Sequence, residues 1–380
     1  MFMEILLSIV VFSIFALILW RLNRTKKSQK KLYIRPNNRL NPSNQKSTYT
    51  YNTLTSEFTE NNTEDLNVDD MVLPEEFLAL KILNTDINNA EQQKTIEHIC
   101  QNFRKPHPLV LPLTQKAFEP NELFELIRSD AQITAKVINR VNSSAFALTQ
   151  PITSINHAIN YLGIGTVKNI AMHFAIENDV EFKTQQQHQA YQKLWSASYL
   201  ASSLGLLFAK ELLIEDASDI STRCLLNYLG DMAILSSHPK ISAVYQKQQT
   251  LYQRIIYSQA QLSINTQIIG SALARFWQLP RTLVRSIENN LSLLVPKNNN
   301  TDIDENEMLK YQVCYIACRL ADLAVINDKN SIETIREELS KQPDFYSLLK
   351  NKQHPKIKKL LNLFYDTNFS KRVNNQLLIK

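Results

Sequence analysis

Glycine is unusually scarce in this sequence, with five glycines among 380 residues. Average usage in globular proteins is about 7%. A chain so poor in glycine lacks the positions that collagen repeats, glycine linkers, tight hairpin turns and glycine-rich dinucleotide loops require. Its 44% hydrophobic content is ample for a buried core. The composition therefore favours helices joined by polar turns, in about two to three domain-sized units.

Cysteine and excess charge are also scarce. The four cysteines are too few and too scattered for a disulfide framework, which indicates a reducing compartment. The formal net charge is +6, from 42 basic and 36 acidic residues. We expect no nucleic-acid partner, because a dedicated nucleic-acid binder needs a concentrated basic face.

One long apolar run, ILLSIVVFSIFALILW, occupies residues 5–20, and Arg21, Arg24, Lys26 and Lys27 follow it closely. Residues 1–22 would span about 30 Å as a helix, which matches the hydrocarbon core of a bilayer. A cleaved signal peptide would carry its positive charge before the run and a small-residue site after it. The sequence therefore predicts a single-pass transmembrane anchor at residues 1–22, with the N-terminus outside and the main domain in the cytoplasm. A buried core helix is the alternative.

Residues 23–70 lose apolar periodicity and fill with Asn, Thr, Ser and charged residues, basic at first and then acidic. This composition predicts a disordered linker. The linker either holds the next domain off anionic lipid or serves as a plain spacer. Residues 71–103 are predicted to be a helical lead-in.

Apolar residues then recur every three or four positions, as in amphipathic helices. Ile133, Val137 and Val141 form one such stripe. Ser154 is expected to open a helix that Gly163 closes, and Thr166 to open the next. Further helices are predicted at residues 195–210, 223–236, 264–276 and 280–289. The expected fold class is all-α, and residues 300–380 form a C-terminal helical extension that either packs on the core or stands as a separate effector piece.

A series of short motifs occurs in a fixed order between residues 104 and 292. The first half contains Asp130, Asn142 with Ser143, Ser154 with Ile155, Ala158 with Ile159, and Leu162 with Gly163. The second half contains Trp195, the run CLLNYLGDMAIL with Gly230, and Gly270 followed by Trp277, Leu279 and Pro280. In this order the motifs resemble the HDOD domain, a bacterial signalling module derived from the HD phosphohydrolase superfamily. The resemblance implies a two-part helical bundle at residues 104–292, and a bacterial inner membrane for the anchor.

The resemblance also implies a site whose metal ligands have been lost. HD enzymes use histidines and aspartates that converge on one or two metal ions. The positions that match these ligands are Ala197, Asn227, Tyr228, Thr266, Asn289 and Asn290, the last pair falling there or one residue later. Asp231 is the nearest carboxylate, and a single carboxylate does not hold a catalytic metal. We therefore expect no enzyme activity, no catalytic residue, no metal and no cofactor.

Other residue groups leave two interpretations each. Cys314 and Cys318 are either buried small side chains or a weak metal pair. The aromatic residues Tyr191, Trp195 and Tyr199 either pack in the core or form a ligand cage. The basic C-terminus is either a solvated face or a contact with a membrane or an acidic partner. The histidines are expected at the surface or partly hydrogen-bonded; they are His98, His107, His157, His173, His188, His238 and His354.

The leading functional hypothesis is a membrane-tethered, non-catalytic signalling or scaffold protein whose bundle binds a protein partner at the cytoplasmic membrane face. The alternative is a sensor that binds a nucleotide or cyclic dinucleotide in the degenerate pocket without hydrolysis. Residual phosphohydrolase activity is the third hypothesis. The lipid bilayer, through residues 1–22, is the other expected partner.

Overall fold

The computed structural model describes residues 72–378 except for 84–88, 104, 116–117, 144–145, 147, 178–180, 247–248, 295–302, 340, 347 and 349–353. The predicted anchor and linker therefore lie outside the described residues. Among the described helices, none combines the length and the apolar character needed to cross a bilayer.

The described part of the chain is helical and contains no strand, which confirms the all-α class. Its α-helices are α1 (Glu75–Leu78), α2 (Ala90–Asn102), α3 (Val110–Gln115), α4 (Pro120–Arg128), α5 (Ala131–Val141), α6 (Ile155–Leu162), α7 (Ile164–Ala175), α8 (Gln185–Glu211), α9 (Ala217–Leu226), α10 (Leu229–Ser237), α11 (Ser242–Gln246), α12 (Leu251–Leu262), α13 (Thr266–Phe276), α14 (Arg281–Glu288), α15 (Glu305–Val325), α16 (Ile332–Leu339), α17 (Pro355–Leu363) and α18 (Thr367–Leu377). Short 3₁₀ turns occur at Pro239–Ile241 and Pro343–Phe345.

Helices α4 to α7 form the first part of the bundle, and their ends follow the sequence closely. The Asp130 carboxylate caps α5 by accepting a hydrogen bond from Ile133 N at 2.7 Å, and the Ser154 hydroxyl caps α6. Gly163 has φ +84°, a left-handed value that favours glycine, and it both ends α6 and precedes α7. Helix α7 therefore begins at Ile164, two residues before the predicted Thr166.

Helix α8 is the central helix of the second part and packs against α9, α10 and α15. The predicted single helix at residues 223–236 is wrong, because the chain leaves the helix at Asn227 and Tyr228 and resumes it at Leu229. Both pieces touch α8, but α9 also lies against α15, whereas α10 lies mainly against α13. The break allows each piece to follow its own neighbour.

The C-terminal extension packs on the core. Helix α15 lies along α8 and α9, and its apolar residues belong to the same hydrophobic cluster as those of the HDOD-like region. Farther along, Phe364 and Phe369 contact Phe208 of α8, with ring centroids 5.7 and 6.0 Å away. The described residues between 305 and 378 are thus part of one packed unit with the bundle, which answers the question that the sequence left open.

The lead-in contains two helices. Helix α2 packs against α10 and α13, and Phe103 after it stacks on Trp277 with centroids 6.1 Å apart. Helix α1 belongs to a second, small apolar cluster in which Phe77 meets Tyr252.

Candidate functional site

The signature residues of the first half act on the backbone. The Asn142 amide closes the loop after α5, because its Nδ2 donates to Ile152 O at 2.6 Å and its Oδ1 accepts from Ile152 N at 2.8 Å. Ser143 donates to Arg140 O. Asp130 and Ser154 cap helices, and Asn142 and Ser143 hold the loop after α5. The signature residues of the first half therefore stabilise loops and helix ends.

Four of the matched ligand positions meet around one small cavity of about 50 Å³. Asn227 and Tyr228 come from the break between α9 and α10, Thr266 from the start of α13, and Asn290 from the turn after α14. The other two do not line this cavity. Ala197 is buried in α8, and Asn289 ends α14, where its side-chain amide donates to Arg285 O at 2.8 Å.

A buried network of charges fills the space beside these residues. Arg254 from α12 and Arg319 from α15 both donate to Asp322 Oδ2, the latter at 2.6 Å. The Tyr228 hydroxyl donates to the other oxygen of Asp322 at 2.8 Å. Arg319 Nε also donates to Asp344 Oδ2 at 2.5 Å. All four charged side chains are at least nine-tenths buried.

Asp231 is the remaining carboxyl group at the cavity. The Tyr245 hydroxyl donates to Asp231 Oδ1 at 2.6 Å. Burial raises the pKa of Asp231 to about 6, although the nearby Arg254 and the Tyr245 hydrogen bond oppose the rise. When Asp231 is protonated, the two guanidiniums balance the charges of Asp322 and Asp344.

Three buried polar atoms of cavity-lining residues have no hydrogen-bond partner among the described residues: Asn227 Oδ1, Asn290 Oδ1 and Arg254 Nε. A buried polar group without a partner is unfavourable unless a water or a ligand satisfies it. The cavity holds no more than a few waters, since each occupies about 30 Å³ in the liquid.

The donors at this site do not fit the divalent metal that the HD resemblance would imply. Asn227, Tyr228 and Thr266 are neutral where the enzymes carry imidazoles and carboxylates. Asp322 is close by, but two guanidiniums and a phenol already engage it. Hard and borderline divalent ions need several free carboxylate or imidazole ligands.

A cluster of thiols lies next to the cavity. Cys224 interacts with both Cys314 and Cys318, and burial raises its pKa well above the ordinary value. Cys314 is buried and Cys318 is half-buried, where its Sγ receives a hydrogen bond from the Asn227 amide at 3.4 Å. The sequence missed Cys224, because it stands some 90 residues before the other two. Nowhere in the described chain do three histidine, cysteine or acidic side chains form a group suited to a metal ion.

Two of the three predicted aromatic residues pack on a histidine, and the third, Tyr191, contacts Phe182 instead. His173 stacks on Trp195 with centroids 3.8 Å apart and touches Tyr199 at 4.7 Å. Burial lowers the pKa of His173 to about 3, and its Nε2 has no partner among the described residues. His173 is therefore buried and not at the surface, and its ring is only partly hydrogen-bonded, through the Trp195 backbone.

The residues that sequence reasoning missed are Arg254, Arg319, Asp322 and Tyr245. A signal existed for two of them: Arg319 and Asp322 interrupt the otherwise apolar run CYIACRLADLAV, where charges need buried partners. The partners themselves come from helices far away in the chain.

Comparison with known proteins places these observations in a family. A family model for the HDOD domain matches residues 108–292. A search among curated proteins found no match. The similar solved structures include an HDOD domain protein with unknown function from Geobacter sulfurreducens, with 16% identity and a TM-score of 0.49 over 73% of this chain and 97% of that one. A proposed phosphohydrolase from Shewanella amazonensis SB2B gives 17% identity and a TM-score of 0.48 over 76% of this chain and 99% of that one. The motifs and the family model agree on the same region, and residues 108–292 of this chain therefore form an HDOD domain.

Proposed function

We propose that this protein is a membrane-tethered, non-catalytic signalling or scaffold protein whose HDOD bundle binds a protein partner at the cytoplasmic face of a bacterial inner membrane. The observation that carries the non-catalytic part is the buried network of Arg254, Arg319 and Asp322 beside the matched metal-ligand positions. The carboxylate of Asp322 is already engaged by both guanidiniums, and a divalent ion could bind it only by displacing them, which would leave buried cations unpaired.

The membrane tether in this proposal is supported by the sequence. The apolar run at residues 5–20 has the length of a bilayer span, and the basic residues after it favour a cytoplasmic main domain. A flexible linker at residues 23–70 would let the bundle reach a partner close to the membrane.

A small polar ligand in the cavity is the second candidate function. The unpartnered atoms of Asn227, Asn290 and Arg254 favour it. Nucleotide-sized pockets have about 300 Å³ or more, whereas this cavity has about 50 Å³. A nucleotide or cyclic dinucleotide would therefore need α15 to withdraw. Calorimetry with cyclic dinucleotides and nucleotides tests this, and no heat at millimolar ligand would remove the candidate.

Metal analysis and an activity assay test the non-catalytic part of the main proposal. The purified full chain is analysed for bound divalent metal and assayed with nucleotide substrates. We expect neither stoichiometric metal nor turnover. Retention of metal together with hydrolysis would overturn the non-catalytic proposal, and loss of that hydrolysis in Asp231→Asn would assign it to this cavity.

A second experiment tests the tether. Affinity purification of the full chain is compared with a chain that lacks residues 1–70, and with a chain in which residues 1–22 are replaced by an unrelated transmembrane helix. We expect the partner to be recovered with the full chain and the replaced-helix chain, and to be lost with the truncated chain. Recovery of the same partner with all three would show that membrane placement is not needed.

A further inference from the structure

The C-terminal stretch of the chain is strongly basic. Residues 351–380 contain seven of the 42 basic residues and one of the 36 acidic ones, a net of +6 that equals the formal charge of the full sequence. The acidic residue, Asp366, is turned into the fold as the N-cap of α18, where it accepts from Phe369 N. Helices α17 and α18 themselves contain no acidic residue.

Cations of these two helices gather at the C-terminal end of α8. Lys356 Nζ donates to Leu213 O at 3.2 Å, and Lys359 Nζ donates to Glu211 O at 3.3 Å. Arg372 pairs with the Glu211 carboxylate at 2.7 Å. These three residues and their exposed neighbours on the same helices form what we call the C-terminal basic face: Lys356, Lys358, Lys359, Lys371 and Arg372.

Two exposed leucines border this face. Leu213 is 82% exposed and Leu378 is 79% exposed. Phe369 of α18 contacts Phe208 of α8, and Arg372, one turn later in α18, pairs with Glu211 at the end of α8. Leu213 follows the end of α8, and Leu378 follows the end of α18. Leu213 also has φ +50°, a left-handed value that is unfavourable for a leucine.

Carboxylates are the minority at this end of the molecule. Glu211 is paired with the face itself, and Asp216 is turned inward as the N-cap of α9. Glu215 lines the open groove beside Lys356 and Lys310, and Glu333 lines a second groove beside Lys371 and Arg336. Exposed leucines among clustered cations combine the two interactions that peripheral membrane proteins use: apolar side chains that enter the headgroup region and cations that attract lipid phosphates.

We propose that the C-terminal basic face docks on an anionic lipid surface and so fixes the orientation of the HDOD domain on the membrane. This inference rests on the proposed function, in which the N-terminal segment brings the domain to the bilayer. Each cation near an anionic membrane raises the affinity of a protein for that membrane by roughly fivefold. A few such cations alone would hold a free protein only weakly. A tether raises the local concentration of the domain at the membrane to the millimolar range. Contacts that are weak in a free protein are then strong enough to keep the face docked.

Amine labelling of the full chain tests the docking. The protein is inserted in discs of phosphatidylcholine alone, or of phosphatidylcholine mixed with phosphatidylglycerol, and lysine acetylation is followed by mass spectrometry. We expect the anionic discs to slow labelling of Lys358, Lys359 and Lys371 by roughly fivefold, and added salt to reverse the effect. Lys94 and Lys240, exposed on the opposite part of the fold, are internal controls whose labelling stays unchanged.

Matched variants separate docking from general charge effects. In Lys358→Glu/Lys371→Glu we expect the lipid-dependent protection of Lys359 to be lost, whereas Lys94→Glu/Lys240→Glu, with the same change in net charge, keeps it. Equal labelling of the face in both lipid compositions would overturn the docking and would favour an acidic protein as its partner. Failure of the chain to enter either disc would instead contradict the anchor.

Discussion

At the scale of single residues, the side chains around the cavity have unusual electrostatics because they are buried together. Asp231 shows the effect most clearly, since its pKa rises to about 6. The sequence pointed to Asp231 as the nearest carboxylate, but not to Tyr245, which donates to it from 14 positions later. Residues on different helices that form a hydrogen bond have no fixed spacing in the sequence, so the partner of Asp231 could not be predicted.

Replacement of Asp231 by asparagine should make the protein more stable at neutral pH. The folded pKa lies above the unfolded value of 3.8, so the folded state binds the proton more tightly, and this stability is present at low pH and lost as pH rises from about 4 to about 6. Asparagine mimics the protonated carboxyl and removes that loss. We expect a gain on the order of 3 kcal/mol at pH 7 that vanishes near pH 4.

Urea denaturation of Asp231→Asn and of the parent chain at several pH values measures this difference. Asp328→Asn, which changes an exposed carboxylate, is the matched control. A stability difference between Asp231→Asn and the parent that stays constant between pH 4 and pH 7 would contradict the assignment of a raised pKa.

The side chain of Asn142 should contribute measurably to stability through its two bonds with Ile152. Asn142→Ala leaves the backbone N–H and C=O of the buried Ile152 without these partners, and we expect a loss of about 2 to 3 kcal/mol in the free energy of unfolding. Asn160→Ala, an exposed change on α6, should stay within about 0.5 kcal/mol. An equal effect of the two changes would show that the loop closes without the amide.

At the scale of helices, much of the structure could be predicted from the sequence. The caps at Asp130 and Ser154 and the turn at Gly163 follow from local chemistry, and the structure has all three. The break at Asn227 and Tyr228 could not be predicted, because Leu226 and Leu229 directly beside it are apolar and good helix formers. What ends the helix there is the different packing of α9 and α10, which is a property of the fold.

The crossing of α10 and α13 depends on Gly230. A Cβ built on Gly230 would lie 1.8 Å from the backbone oxygen of Thr266, far inside contact distance. Backbone cannot move aside cheaply, so we expect Gly230→Ala to cost at least about 3 kcal/mol. Gly165→Ala is the matched control, because its Cβ would meet only the flexible end of Leu206 at 3.3 Å.

Thermal unfolding compares the two glycine variants. Gly165 lies within α7, where alanine is the better helix former by about 0.5 to 1 kcal/mol, so that variant should be neutral or slightly stabilised. If Gly230→Ala unfolded at the same temperature as Gly165→Ala, the helices would have to be farther apart at the crossing than the structure has them.

At the scale of the whole molecule, the buried charges join the HDOD domain to the C-terminal extension. Arg254 belongs to the domain, whereas Arg319, Asp322 and Asp344 come from the extension, and Asp322 accepts from the guanidinium of Arg254 across 68 residues of sequence. The sequence could not decide whether the extension is a separate piece. A charge inside an apolar helix signals a partner, but it does not identify the partner or the domain that supplies it.

Asp322→Asn should therefore destabilise both parts together. The change leaves two buried guanidiniums without their shared carboxylate, and removal of one partner of a buried ion pair costs about 3 to 5 kcal/mol. Hydrogen exchange should show faster opening of α12 and α15 alike. Glu338→Gln is the control, since Glu338 pairs with Lys329 and with the exposed Lys341 at the surface, where such pairs contribute about 0 to 1 kcal/mol.

A double-mutant cycle of Arg254→Met and Asp322→Asn distinguishes coupling from simple loss of packing. If the ion pair holds the extension on the domain, the two changes together cost less than the sum of the single changes by more than about 1 kcal/mol, because each removes the partner that the other needs. Additive losses, with faster exchange confined to α15, would mean that the extension is held by its apolar face alone. The charges at the degenerate site would then have no part in joining the domain to the extension.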